Sequence, residues 1–262
     1  MGRPWRPFAS RPIRLFGTHK TNPSPSASLK PYGRRRVGFG NCLDTVKGCR
    51  GDCGWCYVRE AMARYHIITT VPVSQILVPD LLVRDLRRLE EGWVRVGVFG
   101  EPSHDWDLTV RTARVVVGEG KSLVIVTRLL DLPSEETLSS LEELGVVISW
   151  TLGPFDSFSW REKVWDRVKD YPFLVLRPVT FAFKGGNGLS LPEGPPVLEQ
   201  PGRLFKTSPI WEALDVSRYR HASPYLGTRG RWWTAGPILG GPACEGHCPS
   251  CSWACGLKLV KR

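Results

Sequence analysis

Short apolar runs alternate with longer amphipathic segments between Arg34 and about Pro178. The apolar runs predict buried strands at Val37–Phe39, Trp93–Phe99, Ser122–Thr127, Val146–Leu152 and Phe173–Arg177. The amphipathic segments predict helices over Val58–Tyr65, Val83–Leu89, Leu108–Val117, Ser134–Leu144 and Trp160–Asp170. Strands that alternate with helices indicate a parallel sheet. Five such units are too few for an eightfold barrel, so we expect an α/β fold with a partial (β/α)6-type parallel barrel.

Composition divides the chain into three parts. Residues 1–33 predict a basic arm with a Pro- and Ser-rich linker, and residues 34–200 hold the predicted barrel. Residues 201–262 have no clear period, and we expect them to form a small loop-rich, cysteine-rich appendage organised around bound metal.

The net charge of +11 is concentrated at the N-terminus. Residues 1–43 contain nine Lys or Arg and no acidic residue, and the arginines are interleaved with Trp5, Phe8 and Phe16. Such a segment suits contact with phosphates and exposed bases, so nucleic acid is a candidate partner. A disordered solubilising tail and an Arg-rich targeting segment are the alternatives. The apolar runs are too short for a membrane span, so we expect no membrane partner.

All eight cysteines lie in two tight groups. The first group is Cys42, Cys49, Cys53 and Cys56, and the second is Cys244, Cys248, Cys251 and Cys255. Disulfide frameworks usually bridge distant segments of small secreted chains, whereas clustered thiols at short spacings favour metal or cluster binding. We therefore expect a reducing, cytoplasmic location.

The first group contains the spacing C-x3-C-x2-C, formed by Cys49, Cys53 and Cys56. Three thiolates can each bind one iron of a cubane cluster and leave the fourth iron open for a substrate or cofactor. A zinc site is the alternative, and it would need a fourth ligand such as Cys42 or His66. We interpret Cys42 as a packing residue, because a fourth thiolate would close the open iron.

This motif, with Trp55 before the last cysteine and Tyr57 after it, resembles the signature of the radical S-adenosylmethionine (SAM) superfamily. The resemblance covers roughly residues 37–180. It implies a [4Fe-4S] cluster on the three cysteines, with SAM bound at the open iron. It also implies reductive cleavage of SAM to a 5′-deoxyadenosyl radical that abstracts hydrogen from a substrate. A reductase or ferredoxin-type electron donor would be a partner.

The strand layout resembles the spore photoproduct lyase-like branch of that superfamily. Gly100 and Glu101 match a Gly-Gly-Glu-like motif that binds the methionyl amino group, although Phe99 replaces its first glycine. Arg128 and Leu129 stand where that branch has Lys and Ser. The predicted SAM contacts, at or near carboxyl ends of strands, are Trp55, Tyr57, Gly100, Glu101, Thr127, Arg128, Thr151 and Arg177.

The second group, Cys244, Cys248, Cys251 and Cys255, could saturate an auxiliary [4Fe-4S] cluster or a tetrahedral zinc ion. We favour the cluster, since structural zinc sites usually pair two knuckles across an intervening segment. Its position resembles that in peptide-maturing members of the superfamily. We interpret His247, which could also be a ligand, as a polar loop residue.

Three functional hypotheses follow. A nucleic acid or nucleotide is the leading substrate class, a peptide or protein is the second, and a non-enzymatic zinc or iron–sulfur protein is the third. Near the proposed SAM site, Asp105 and Asp107 are expected to cap a helix. His104 could serve there as an acid or base near neutral pH.

Overall fold

The structure is a computed structural model. It describes residues 41–51, 53, 56, 70–186, 190–204, 206, 208, 210–221, 233–245 and 251–260. The predicted strand Val37–Phe39, the predicted helix Val58–Tyr65 and the basic arm lie outside the described residues. Trp55, Tyr57, His66, His247 and Cys248 also lie outside them.

Six parallel strands form the main sheet, a half-barrel. In chain order the strands are β1 Cys42–Leu43, β2 Val46–Lys47, β3 Val73–Ser74, β4 Trp93–Val96, β5 Ser122–Thr127, β6 Val147–Leu152, β7 Leu174–Thr180, β8 Gln200–Pro201, β9 Arg220–His221 and β10 Trp233–Thr234. The order in the main sheet is β1-β4-β5-β6-β7-β8, and each adjacent pair is parallel. β2 pairs with β3 and β9 with β10, both antiparallel.

Helices follow the strands of the sheet. The α-helices are α1 Pro79–Arg87, α2 Trp106–Gly118, α3 Glu135–Glu143, α4 Phe158–Val168 and α5 Leu257–Val260. Short 3₁₀ helices span Pro102–Asp105, Trp211–Ala213, Val216–Arg218 and Ala254–Gly256. Asp105, Ser134 and Ser157 each accept a hydrogen bond from a backbone N–H three residues on, which caps α2, α3 and α4. In the described ranges, no helix combines the length and the apolar character needed to cross a membrane.

Several predicted boundaries needed correction. β4 ends at Val96, three residues earlier than expected, because the chain turns at Gly97 with φ of 90°. α1 begins at Pro79 rather than Val83, since proline is favoured in the first turn of a helix. β7 continues to Thr180, and the two-residue strand β8 was not predicted.

The two faces of the sheet are covered by different parts of the chain. The outer face packs against α1 to α4 in one large apolar cluster, in which Trp150 and Ile148 are fully buried. The inner face carries Val124, Val147 and Val175 in a second cluster.

The C-terminal segment lies on that inner face. Ala254 and Cys255 join the inner cluster, and a Cβ on Gly256 would stand 2.8 Å from a methyl group of Val175. The expected appendage is therefore not confirmed, because residues 251–260 contribute to the core of the half-barrel. Residues after 200 also build a third apolar cluster with the end of β7, which includes Leu204 and Leu214.

Candidate functional site

The cysteine loop is joined by its backbone to the turn that follows β4. Gly48 N donates to Phe99 O at 3.2 Å, and Glu101 N donates to Gly48 O at 3.1 Å. A Cβ on Gly100 would stand 1.8 Å from Val46 O, so only glycine fits there. These hydrogen bonds hold the backbone just before Cys49 next to the backbone of Glu101.

The cysteine side chains of this loop share a small volume. Gly51 N donates to Cys49 Sγ at 3.2 Å. A Cβ on Gly51 would stand 3.2 Å from Cys49 Sγ and 3.7 Å from Cys53 Sγ, so both sulfurs lie on the same side of this residue. Cys56 N donates to Cys53 O at 3.0 Å, and its thiol interacts electrostatically with those of Cys49 and Cys53.

Burial shifts the acidity of these thiols. It raises the pKa of Cys49 to about 12, with a further contribution from the carboxylate of Glu101. It raises the pKa of Cys53 to about 11, although the nearby Arg128 guanidinium acts in the opposite direction. Both thiols are therefore poor nucleophiles at neutral pH. A bound metal can replace their protons, so ligation fits this environment better than nucleophilic attack.

A single ion and a cubane cluster place different demands on the cysteines of this loop. Among the described residues, no three His, Cys, Asp or Glu side chains are grouped closely enough to hold one metal ion. A zinc ion needs every sulfur at about 2.3 Å from one point. In a cubane each cysteine binds a different iron, so the sulfurs stand further apart. Cys49, Cys53 and Cys56 are half-buried, and the backbone N–H of Gly51 is directed at the Cys49 sulfur.

Cys42 lies away from this loop. It is in β1, 2% exposed, and packs in the inner apolar cluster with Val124 and Cys255. Its nearest polar contact is Asn41 Oδ1 at 3.9 Å. This position agrees with the packing role expected for Cys42.

Glu101 is buried and fixed by three donors. Its carboxylate accepts hydrogen bonds from Ser103 N at 3.2 Å, from the Thr127 hydroxyl, and from Arg128 N at 2.9 Å. The Thr127 hydroxyl also accepts from Leu129 N at 2.8 Å. An ionised carboxylate can accept about four hydrogen bonds. Glu101 therefore connects the turn after β4 with the end of β5 and keeps capacity for one further donor.

Arg128 contacts Glu101 through its backbone and the segment after β6 through its side chain. Its guanidinium pairs with Asp156 at 2.5 Å and lies 5.2 Å from the ring centre of Trp160. Asp156 in turn accepts from Gly153 N at 2.6 Å. Sequence reasoning missed Asp156 and Trp160. Both could have been identified from the sequence, because they follow the carboxyl end of β6, where open α/β sheets bind ligands.

His104 supports the cysteine loop. Its Nε2 accepts from Arg50 N at 3.1 Å, so its Nδ1 carries the proton and donates to Asp131 at 2.8 Å. Arg50 also pairs with Asp131 through its guanidinium at 2.5 Å. Both ring nitrogens are engaged, which favours a positioning role over the acid or base role considered from the sequence.

Thr151 and Arg177 are neighbours across β6 and β7. Thr151 is 8% exposed and Arg177 is 5% exposed. The guanidinium of Arg177 donates to the side-chain oxygen of Gln200 and contacts Cys244 Sγ at 3.8 Å. Arg177 therefore lies against the second cysteine group.

The second cysteine group is organised around β8 and the inner face. Cys244 N donates to Glu199 O at 2.7 Å, which aligns it with the end of the sheet. Burial raises the pKa of the Cys251 thiol, which accepts backbone hydrogen bonds from Trp253 and Glu245 and interacts electrostatically with Cys244 and Cys255. The Cys251 thiol therefore lies within electrostatic range of both Cys244 and Cys255. Cys248 lies outside the described residues.

The half-barrel therefore brings together the first cysteine loop, Glu101 and Arg128 at the carboxyl ends of its strands, and places the second cysteine group against its inner face. This arrangement carries the functional argument by its own geometry. No family model matches the chain, and no curated protein matches its sequence.

Proposed function

We propose that the chain is a radical SAM enzyme in which Cys49, Cys53 and Cys56 hold a [4Fe-4S] cluster with one open iron. The observation that carries this proposal is the backbone bridge between Gly48 and Gly100. It fixes a three-cysteine loop beside a buried carboxylate at the carboxyl ends of parallel strands, the edge where open α/β sheets bind ligands. When bound, the cluster and SAM would supply a 5′-deoxyadenosyl radical that abstracts hydrogen from the substrate.

Glu101 is the residue best suited to receive the amino group of SAM. Its carboxylate is held by three donors and has capacity for a fourth. An ammonium group would make a charge-assisted hydrogen bond there, in surroundings that exclude water. Gly100 allows close approach of the two backbone segments, and Thr127 orients the carboxylate.

The remaining proposed SAM contacts have different support. Arg128 is held by Asp156 and could face a carboxylate, while Thr151 offers a hydroxyl on the neighbouring strand. Trp55 and Tyr57 remain proposals from the sequence. Arg177 contacts Cys244, so its role belongs with the second centre.

The C-terminal cysteines would hold a second metal centre, an auxiliary [4Fe-4S] cluster or a zinc ion. Their position on the inner face supports a role in relaying electrons or anchoring substrate. A reductase or ferredoxin-type donor would supply the electron.

The substrate class is proposed from two features. The basic aromatic arm favours a nucleic acid or nucleotide, and the second cysteine group favours a peptide or protein. Binding of an RNA or DNA oligonucleotide should weaken with salt and be lost when residues 1–33 are deleted. Binding that is absent or independent of salt would favour the peptide alternative.

The decisive experiment is anaerobic reconstitution of the full chain with iron and sulfide. Metal content and dithionite-driven formation of 5′-deoxyadenosine are then measured for the wild type and for the variant with Cys49→Ala, Cys53→Ala and Cys56→Ala. Cleavage should be lost in the triple variant and kept in Cys42→Ala, the matched control. About eight irons would indicate two cubane clusters, and about four irons with one zinc would assign zinc to the second site. A fully loaded wild type that forms no 5′-deoxyadenosine would leave only the non-enzymatic alternative.

A further inference from the structure

Arg177 is a buried cation whose charge is not balanced by a carboxylate. It is 5% exposed, and its partners are the neutral side chain of Gln200 and the sulfur of Cys244. Within the described part of the chain, no acidic side chain forms an ion pair with it. Its Nε, also buried, has no hydrogen-bond partner there. An arginine stays protonated even when buried, so this charge requires a compensating negative group.

The nearest buried carboxylate is already engaged elsewhere. Glu199 precedes Gln200 and is fully buried. It accepts from the Thr180 hydroxyl at 2.5 Å, Ile238 N at 2.6 Å and Leu239 N at 2.8 Å. These three donors stabilise the charge of Glu199. A negative group that balances Arg177 is therefore expected on the side where Arg177 contacts Cys244.

The residues on that side are metal ligands by chemistry. Cys244 contacts Arg177, and the Cys251 thiol lies within electrostatic range of both Cys244 and Cys255. A cubane cluster bound by thiolates carries net negative charge, because the thiolates outweigh the charge of the metal core.

We infer that Arg177 is the counter-ion of an anionic metal centre held by Cys244, Cys251 and Cys255, and that it hydrogen-bonds the Cys244 sulfur of that centre. This inference rests on the second metal centre of the proposed function and is independent of SAM cleavage. It makes Arg177 a positioning residue, since it acts on the metal through Cys244. Groups around metal ligands typically change metal affinity by about 10- to 100-fold when they are removed.

A substitution of Gln200 should change thermal stability and metal binding in opposite directions. In Gln200→Glu, a carboxylate would pair with Arg177 in the metal-free chain and repel an anionic centre. We therefore expect a higher thermal midpoint without metal together with weaker metal binding. Loss of packing alone would lower both.

The test uses anaerobic reconstitution with iron and sulfide, because each cysteine of a cubane cluster binds a different iron. The chain carries Cys49→Ala, Cys53→Ala and Cys56→Ala, so that bound iron reports the second group. Arg177→Gln and Gln200→Glu should each speed the loss of this iron to a chelator by about tenfold or more. Arg95→Gln is the control, because Arg95 is also 5% exposed and donates to Gly97 O rather than to a thiol.

Unchanged iron retention in both Arg177→Gln and Gln200→Glu would overturn the counter-ion assignment. Failure of the parent chain to bind iron and sulfide would overturn the second cluster itself. Neither result bears on 5′-deoxyadenosine formation by the first cysteine group, so failure here can be told apart from failure of the proposed enzymatic activity.

Discussion

The hydroxyl of Thr127 donates a hydrogen bond to the carboxylate of Glu101, and this contact joins the end of β5 to the turn after β4. Both side chains are almost fully buried. The same turn is tied to the cysteine loop through Gly48. The pair therefore lies at the point where three segments of the proposed SAM site meet.

Replacing Glu101 by glutamine should weaken both folding and SAM binding. The amide would turn an N–H₂ group against one of the backbone donors, Ser103 N or Arg128 N, and the negative charge would be lost. We expect the free energy of unfolding to fall by about 1–3 kcal/mol. SAM affinity of the reconstituted protein should fall by about tenfold or more, measured by equilibrium dialysis.

Thr127→Val is the matched control for Glu101→Gln, because it removes the orienting hydroxyl and keeps the charge. Its loss of SAM affinity should be smaller. Equal SAM affinity in Glu101→Gln and the wild type would limit Glu101 to a structural role.

Gly100→Ala should disrupt the junction of the two segments. The added methyl would stand 1.8 Å from Val46 O, a backbone atom that cannot move without breaking the register. We expect a loss of about 3 kcal/mol or more in unfolding free energy, measured by urea denaturation. Gly118→Ala, at the end of α2, meets nothing within 4 Å and should be close to neutral. Similar stability of the two variants would contradict the close approach.

Asp44 should make stability depend on pH. It accepts hydrogen bonds from Val98 N at 2.6 Å and Phe99 N at 3.0 Å, and burial raises its pKa above 3.8 despite these bonds. A raised pKa in the folded state means that the protonated form is favoured there. Its stabilising contribution is full below the unfolded pKa and is lost as the pH rises through the folded pKa.

Asp44→Asn removes this titration and keeps an oxygen acceptor. The stability of the wild type relative to Asp44→Asn should therefore fall as the pH rises above 3.8 towards neutral, measured by urea unfolding at each pH. A difference that stays constant over this range would show that burial does not perturb Asp44.

The Arg128–Asp156 pair should be strongly coupled. Both side chains are largely buried, at 14% and 7% exposure, so removing one partner leaves the other charge in the protein interior. Asp156→Ala should lower the unfolding free energy by about 3–5 kcal/mol. A double-mutant cycle with Arg128→Met measures the coupling, and additive effects of the two substitutions would contradict it.

Much of the barrel follows from local sequence. The predictions of β5 and β6 from their apolar runs and of the helix cap at Asp105 are confirmed, because strand burial and helix capping depend on near neighbours. β8 was missed, because a two-residue strand has no period of its own and forms only against β7.

In the sites too, the features that depend on near neighbours were predicted and the contacts between distant segments were not. The spacing of Cys49, Cys53 and Cys56 predicts a shared site, and the structure places the sulfurs of Cys49 and Cys53 on the same side of Gly51. Nothing in the local pattern associated Arg177 with Cys244, which lies 67 residues further along the chain. Asp156 was missed although it follows β6 in the sequence, and its ion pair with Arg128, which follows β5, is seen only in the structure.

The sequence by itself determined which segments become strands and helices and which cysteines form each group, because these properties depend on residue type and short spacing. Only the tertiary structure decided that the C-terminal cysteines lie on the inner face and that a buried arginine reaches one of them. Those contacts depend on how distant segments share one apolar face, and that face exists only after the parallel sheet has formed.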